Sequence, residues 1–335
     1  MRAGQVVNGY TIVSEPTNEG GGKCMWAFAE RDGREYFLKR FLEPKYPREG
    51  GGGSEASRRA RLRECQEFEE RHVSIMNLLD PEAVGTGNLV LAVDFFRHKS
   101  SYYKVTERID TSSLTKPHAL DTRSRSVLLR TLVLSLRLLH RLGIVHGDVK
   151  PANVLVQQRA ANTFHTAKLI DLDDAYLSGR PPPPGLVAGD HLYGAPEWLR
   201  YLRDDGDTGP EDLTTSADVF SLGLMIHLYL TGALPAYGTG GHTAPAEAVD
   251  DGVPLRVDER LAPAMRALIT SMTAADPRER PTAASVFEAL RDPDLCLLDR
   301  SRTAGGWPGG PSTPTDDDQR ETTGGLSWGS TAGTT

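Results

Sequence analysis

The sequence predicts an α+β chain of two parts, a small β-sheet with one helix followed by a larger, mostly helical body. Three observations carry this reading. The first hundred residues hold stretches rich in β-branched and aromatic residues, "YTIVSE", "MWAFAERDGREYFLKRF" and "LVLAVDFF", with Asp32-Gly33 marking a hairpin turn. By contrast, "SVLLRTLVLSLRLLHRLGIVHG" carries apolar residues at helical spacing and stops at Gly143. A length of 335 residues is enough for two lobes, each nearer the usual domain size.

In chain order, the run Gly20-Gly21-Gly22-Lys23-Cys24-Met25 precedes the paired strands. Backbone N–H groups in such a run can cradle phosphates, because glycine lets the chain approach closely. A helix is predicted after the flexible insert Gly50 to Ser54, from near Ser57 to Leu79, with Asp80-Pro81 ending it. "YYKVTERI" reads as a further strand, and most leucines of the long helix after it are core. That helix feeds "HGDVKPAN", His146 to Asn153, the most informative string in the chain. It sets out the groups needed to move a phosphoryl group onto a hydroxyl. Asp148 can accept or orient the hydroxyl proton, Lys150 can neutralise charge on the transferring phosphoryl, and Asn153 can hold a divalent metal.

The string resembles the protein-kinase catalytic loop H-R-D-L-K-P-x-N, and its Lys-Pro pair favours the Ser/Thr branch. Further landmarks follow in order. "AKLIDLDDA" places Asp171 where the family carries D-F-G, with Leu172 in place of Phe. "YGAPEW" supplies Ala195, Pro196 and Glu197, matching A-P-E. Asp218 heads a buried helix, and Arg280 lies where the family's late Arg pairs with that Glu. The resemblance covers residues 8 to 292 and is to prokaryotic, Hanks-type Ser/Thr protein kinases.

From Arg300 the composition turns to Gly, Ser, Thr, Pro and Asp, which cannot bury a core, so a disordered tail (300–335) is expected. The resemblance implies a two-lobed protein-kinase-like fold: an antiparallel-sheet N-lobe with one helix (1–109) and a mostly helical C-lobe (110–299). The lobes would meet at Asp110 to Leu114, with the catalytic groups facing that cleft. It further implies ATP with Mg2+ or Mn2+, protein substrates, and Asp148, Lys150 and Lys39 as the catalytic set. Asn153 and Asp171 would hold the metal. Gly20 and Gly22 fall on the first two glycines of the phosphate loop and Met25 on the third. Phe37 and Ala27 fall against the adenine with large and small exchanged, which would preserve the pocket volume. Thr106 would be the gatekeeper, the Glu107 C=O and Ile109 N–H would meet the adenine edge, and Leu155 would floor the pocket. A helix Glu should pair with Lys39. Glu67, Glu69 and Glu70 are the candidates, and Glu69, one turn after Cys65 and one before Val73, is the choice, although the simplest alignment puts Arg71 in that place.

Two departures bear on regulation. Gly147 replaces the Arg that receives a phosphorylated activation loop, and no Thr lies between Asp171 and Glu197, where Ser178, Tyr176 and Tyr193 are the hydroxyls. Asp190 stands where the family has a Thr that bonds the catalytic Asp and Lys. A second carboxylate near Asp148 should raise one pKa unless Lys150 offsets it.

A net charge of −7 argues against a constitutive nucleic-acid or anionic-membrane binder. Three widely spaced cysteines and the lack of a long apolar run place the chain in a reducing, cytoplasmic setting. In the tail, Thr313 with Asp316 and Thr315 with Asp318 resemble sites for a phosphothreonine-reading partner; the other reading is an inert tail or expression scar. Three functions compete: an active Ser/Thr kinase, a nucleotide-binding pseudokinase or scaffold, and a small-molecule phosphotransferase of the aminoglycoside or choline kinase kind. The last shares H-G-D and I-D-x-D but lacks the A-P-E, Asp218 and Arg280 set.

Overall fold

The hairpin at Asp32-Gly33 organises the first sheet. Both residues take positive φ, 53° and 72°, which gives a two-residue turn whose twist matches its strands. The computed structural model describes residues 1–19, 22–48, 54–79, 88–109, 116–158, 164–204, 206–238, 241–299 and 301. They divide into two compact units, 1–79 with 90–109 and 88–89 with 116–301.

The first unit holds β1 (Val6–Val7), β2 (Tyr10–Ile12), β3 (Cys24–Arg31), β4 (Arg34–Phe41), β5 (Ala92–His98) and β6 (Ser101–Glu107). They form one antiparallel sheet in the order β1-β2-β3-β4-β6-β5. Side chains alternate between its faces. One face buries Tyr10, Ile12, Ala27, Ala29, Leu38 and Val105. The other carries Cys24, Phe41 and Tyr102 against Cys65 and Phe68 of α1 (Glu55–Leu78). That helix starts where its cap allows: the Ser54 side chain accepts from the Ser57 N–H at 3.2 Å. The strand expected from Leu89 begins instead at Ala92. Asn88 and Leu89 belong to the second unit, where the Asn88 carbonyl accepts from Leu169 N–H.

In the second unit, α2 (Thr122–Arg141) is capped by Asp121, which accepts from Ser124 N–H, and buries Leu128, Leu129, Leu132, Leu136 and Leu139. It ends before Gly143, whose φ of +69° turns the chain into β7 (Ile144–Val145). β8 (Val154–Gln158) pairs with β9 (His165–Leu169), and β10 (Tyr176–Leu177) returns to pair with β7. Then follow α3 (Pro196–Arg203), α4 (Thr215–Thr231), α5 (Pro245–Asp250), α6 (Pro263–Met272) and α7 (Ala283–Ala289). α4 is buried on almost every side, as its apolar sequence requires. Among the described residues no helix is long and apolar enough to cross a membrane.

Candidate active site

The loop from His146 to Asn153 is fixed from below by one carboxylate. Asp218, buried at the head of α4, accepts from the backbone N–H of His146 (2.8 Å) and Gly147 (3.0 Å) and from His140 Nε2 (2.9 Å). His146 is itself fully buried. Its Nε2 donates to the Ile170 carbonyl (2.9 Å) and its Nδ1 accepts from Asp148 N–H (3.2 Å), which defines the neutral tautomer. Gly147 has φ +80°, and a Cβ there would lie 2.9 Å from the Asp174 carbonyl oxygen. The glycine is therefore demanded by the backbone, and no longer side chain fits this conformation.

On that base the two Asp148 oxygens take different roles. Oδ2 accepts from Asn153 Nδ2 (2.8 Å) and lies 3.0 Å from Lys150 Nζ. Oδ1 is buried and has no hydrogen-bond partner among the described residues. A buried carboxylate oxygen without a donor is costly, and this one has room in its chemistry to accept from a donor that a ligand brings. Asn153 spends both amide hydrogens on Asp148, the second on its backbone carbonyl at 2.8 Å, which turns the Asn153 carbonyl oxygen the other way. Ile170 N–H donates to the Asn153 backbone carbonyl (2.9 Å), tying the loop to the segment that carries Asp171. Asp171 has φ +65°, and Leu172 after it is buried.

Asp190 joins this group as its position in the sequence implies. Its Oδ2 lies 3.3 Å from Lys150 Nζ, so one ammonium bridges two carboxylates. Burial alone would lower the Lys150 pKa; the charges and hydrogen bonds of Asp148 and Asp190 outweigh it and hold the group above the ordinary lysine value.

In the first unit, Lys39 is buried on β4 and faces Lys104 of β6 in register, also buried. Lys104 was not singled out by sequence; only the strand register brings it opposite Lys39. Phe37 pairs in register with Phe28 and Thr106, and the rings of Trp26 and Phe37 lie 5.1 Å apart. The expected exchange with Ala27 does not occur. Ala27 pairs with Leu38 and lies on the opposite face, in the core with Val105, because side chains alternate at every residue. Trp26 and Phe28 are the aromatic β3 residues on the Phe37 face. Met25 lies within β3, paired with Arg40, rather than in a loop. Glu107 pairs with Tyr36, and Arg108 next to it bonds Glu35, leaving Ile109 past the strand end.

Glu69 is exposed and accepts the Tyr102 hydroxyl at 3.3 Å. Glu67 and Glu70 are also exposed, and Val73, used as the inner-face marker, is 42% exposed. The inner face of α1 is Cys65, Phe68, His72 and Ile75. In the second unit, Leu155 is buried on β8. Gly22 takes φ +52° with open space around it. Gly20, most of the insert, Asp80-Pro81, Asp110 to Leu114 and the tail threonines lie outside the described residues.

Behind the site, Glu197 and Arg280 form a bidentate pair at 2.6 and 2.8 Å with both side chains buried. Arg280 also donates to the carbonyls of Ser216, Ala274 and Ala275. Among the described residues no three His, Cys, Asp or Glu side chains make a metal-binding group. Asn153 and Asp171 still suit Mg2+, which takes one or two protein oxygens and completes its shell with phosphate and water.

The family model for the protein kinase domain matches residues 60–290. Calcium-dependent protein kinase 34 of Arabidopsis thaliana is 29% identical over 239 residues, covering 69% of this chain and 42% of that protein. Serine/threonine-protein kinase pkn3 of Myxococcus xanthus is 28% identical over 168 residues, 49% of this chain and 29% of that one. Serine/threonine-protein kinase PknL of Mycobacterium tuberculosis is 31% identical over 176 residues, 49% of this chain and 37% of that one. The chain thus spans less than half the length of these relatives. With the His146–Asn153 loop held by Asp218, a buried Glu197–Arg280 pair and a family match across most of its length, the chain belongs to the protein kinase domain family.

Proposed function

We propose that this chain transfers the γ-phosphoryl group of ATP to serine and threonine hydroxyls of protein substrates. The observation that carries this reading is the division of labour at Asp148: Oδ2 is held by Asn153 and Lys150, and Oδ1 is buried with no hydrogen-bond partner among the described residues. An acceptor hydroxyl donating to Oδ1 would be aligned for attack, and its proton has a base waiting. Lys150 lies beside that base and would meet charge on the transferring phosphoryl. Asn153 and Asp171 would hold Mg2+ or Mn2+, which neutralises charge on the nucleotide phosphates. In the first unit, Lys39 would contact nucleotide phosphate, with Phe37 and Thr106 facing the adenine and the Glu107 and Ile109 backbone meeting its edge. The test is transfer from labelled ATP with magnesium to a generic protein, with an aminoglycoside offered in parallel. Label in the protein supports the reading; label only in the aminoglycoside contradicts it.

A second reading, a nucleotide-binding scaffold with little transfer, is favoured by one observation, the Asp190 carboxylate at 3.3 Å from Lys150. ATP binding without label in any acceptor would support it.

Activation-loop phosphorylation would not control this enzyme. Gly147 leaves no arginine to receive a phosphate, Tyr176 and Tyr193 are buried, and Ser178 alone of the segment's three hydroxyls is exposed. The segment is already tied down by neutral contacts: Ser178 N–H to the Gly143 carbonyl, the Tyr201 hydroxyl to the Pro182 carbonyl, and Trp198 Nε1 to the Ala188 carbonyl. Phosphatase-treated protein should keep its initial rate, and Ser178→Ala should change kcat less than about twofold, a surface substitution with no side-chain role. A lag in product formation that Ser178→Asp abolishes would overturn this.

A further inference from the structure

We propose that Asp190 is a positioning residue that competes with the transferring phosphoryl group for Lys150, and so sets the turnover of this enzyme below what its catalytic loop allows. The inference rests on the phosphoryl-transfer reading and goes beyond it. Lys150 Nζ sits 3.0 Å from Asp148 Oδ2 and 3.3 Å from Asp190 Oδ2, so its charge is shared between two carboxylates. Only Asp148 shares the loop that carries Lys150. Asp190 reaches it from a different segment, and the backbone on both sides of Asp190 is held in place. Asp190 Oδ1 accepts from the backbone N–H of Leu192 (2.9 Å) and Tyr193 (3.3 Å). Its carbonyl accepts from Gly194 N–H at 2.7 Å. Gly189 before it has φ +154° and lies so close to the Trp198 ring that a Cβ would come within 2.8 Å. The carboxylate is therefore a fixed anion, and Lys150, on a flexible four-carbon stem with its side chain 24% exposed, is the partner that moves.

A phosphoryl group in transit needs Lys150 to leave Asp190 and turn toward new negative charge. The Asp190 pair stabilises the resting state, and the fixed carboxylate adds a repulsion that grows as charge develops. An interaction stronger in the ground state than in the transition state raises the barrier. Nucleotide binding need not change, because Asp190 acts on the step and not on the adenine or the metal.

Asp190→Asn isolates this effect. The amide oxygen still accepts from Leu192 and Tyr193, and an uncharged group then faces Lys150. With a generic protein substrate, kcat should rise roughly ten- to a hundredfold, the range of one charge-assisted hydrogen bond, with the KM for ATP and the melting temperature nearly unchanged. Asp190→Thr should raise kcat in the same direction if the amide perturbs folding. Activity in Asp190→Asn with an inert wild type also supports the proposal. An active wild type whose Asp190→Asn and Asp190→Thr variants are equal to it or slower overturns the proposal and leaves the kinase reading standing. Wild type and both variants inactive toward every acceptor, while folded and binding ATP, overturns the kinase reading and the proposal with it.

Discussion

Asp148→Asn should lower kcat by about a hundred- to ten-thousandfold, the worth of a positioned general base, while ATP affinity stays nearly unchanged. The substitution keeps the shape of the side chain and removes its charge and basicity; with the amide oxygen accepting from Asn153 Nδ2, an NH2 donor replaces the acceptor at the Oδ1 position. It also costs the ion pair with Lys150, but the loop keeps its other anchors: Asp218 on the backbone of His146 and Gly147, and His146 on the Ile170 carbonyl. The variant should therefore fold, which circular dichroism and a melting curve would verify. Nucleotide binding, read by calorimetry, separates Asp148 from Asp171, since Asp171→Ala should weaken Mg-ATP binding as well as turnover. An Asp148→Asn enzyme as fast as wild type would remove Asp148 from the reaction.

The second large effect is on stability. Arg280→Met should destabilise the second unit by about 3–5 kcal/mol, because it strands the buried Glu197 carboxylate without its partner. Three backbone carbonyls, those of Ser216, Ala274 and Ala275, lose a donor in the same change. Replacing both partners, Glu197→Leu with Arg280→Met, removes the stranded charge and should recover part of the loss; the orphaned carbonyls keep the recovery incomplete. Urea unfolding followed through Trp198, next to Glu197 on α3, measures both. A single-variant loss below about 1 kcal/mol would mean that solvent reaches the pair, contrary to its burial.

The parts of this molecule legible in the sequence are those with an absolute local signature. The catalytic loop was readable because Asp148, Lys150 and Asn153 sit at fixed spacing in one short segment, and the structure brings them into direct contact. The Asp190 contact was readable for a different reason: its place six residues before Pro196 in a recognisable motif put it near Lys150. Strand parity was harder. The exchange of large and small puts Ala27 on the adenine face with Phe37, yet the register pairs it with Leu38, and an error of one residue moves a side chain to the other face. The helix face failed through composition. His72 stacks against Phe95 at 4.8 Å and lies tilted against Phe68 at 4.2 Å, so it belongs to the apolar stripe, although sequence alone counts it as polar. Reading the face through Val73 instead rotated it by about one residue, roughly 100°, which is why the three glutamates could not be told apart.

Phosphoamino-acid analysis of a generic protein incubated with γ-labelled ATP and magnesium tests the central claim most directly, with Asp148→Asn run alongside. The account predicts label on serine and threonine from the wild type, lost with chelation of the metal and reduced at least a hundredfold in the variant. Label on tyrosine, label that persists undiminished in Asp148→Asn, or no label from a folded protein that binds ATP would contradict it.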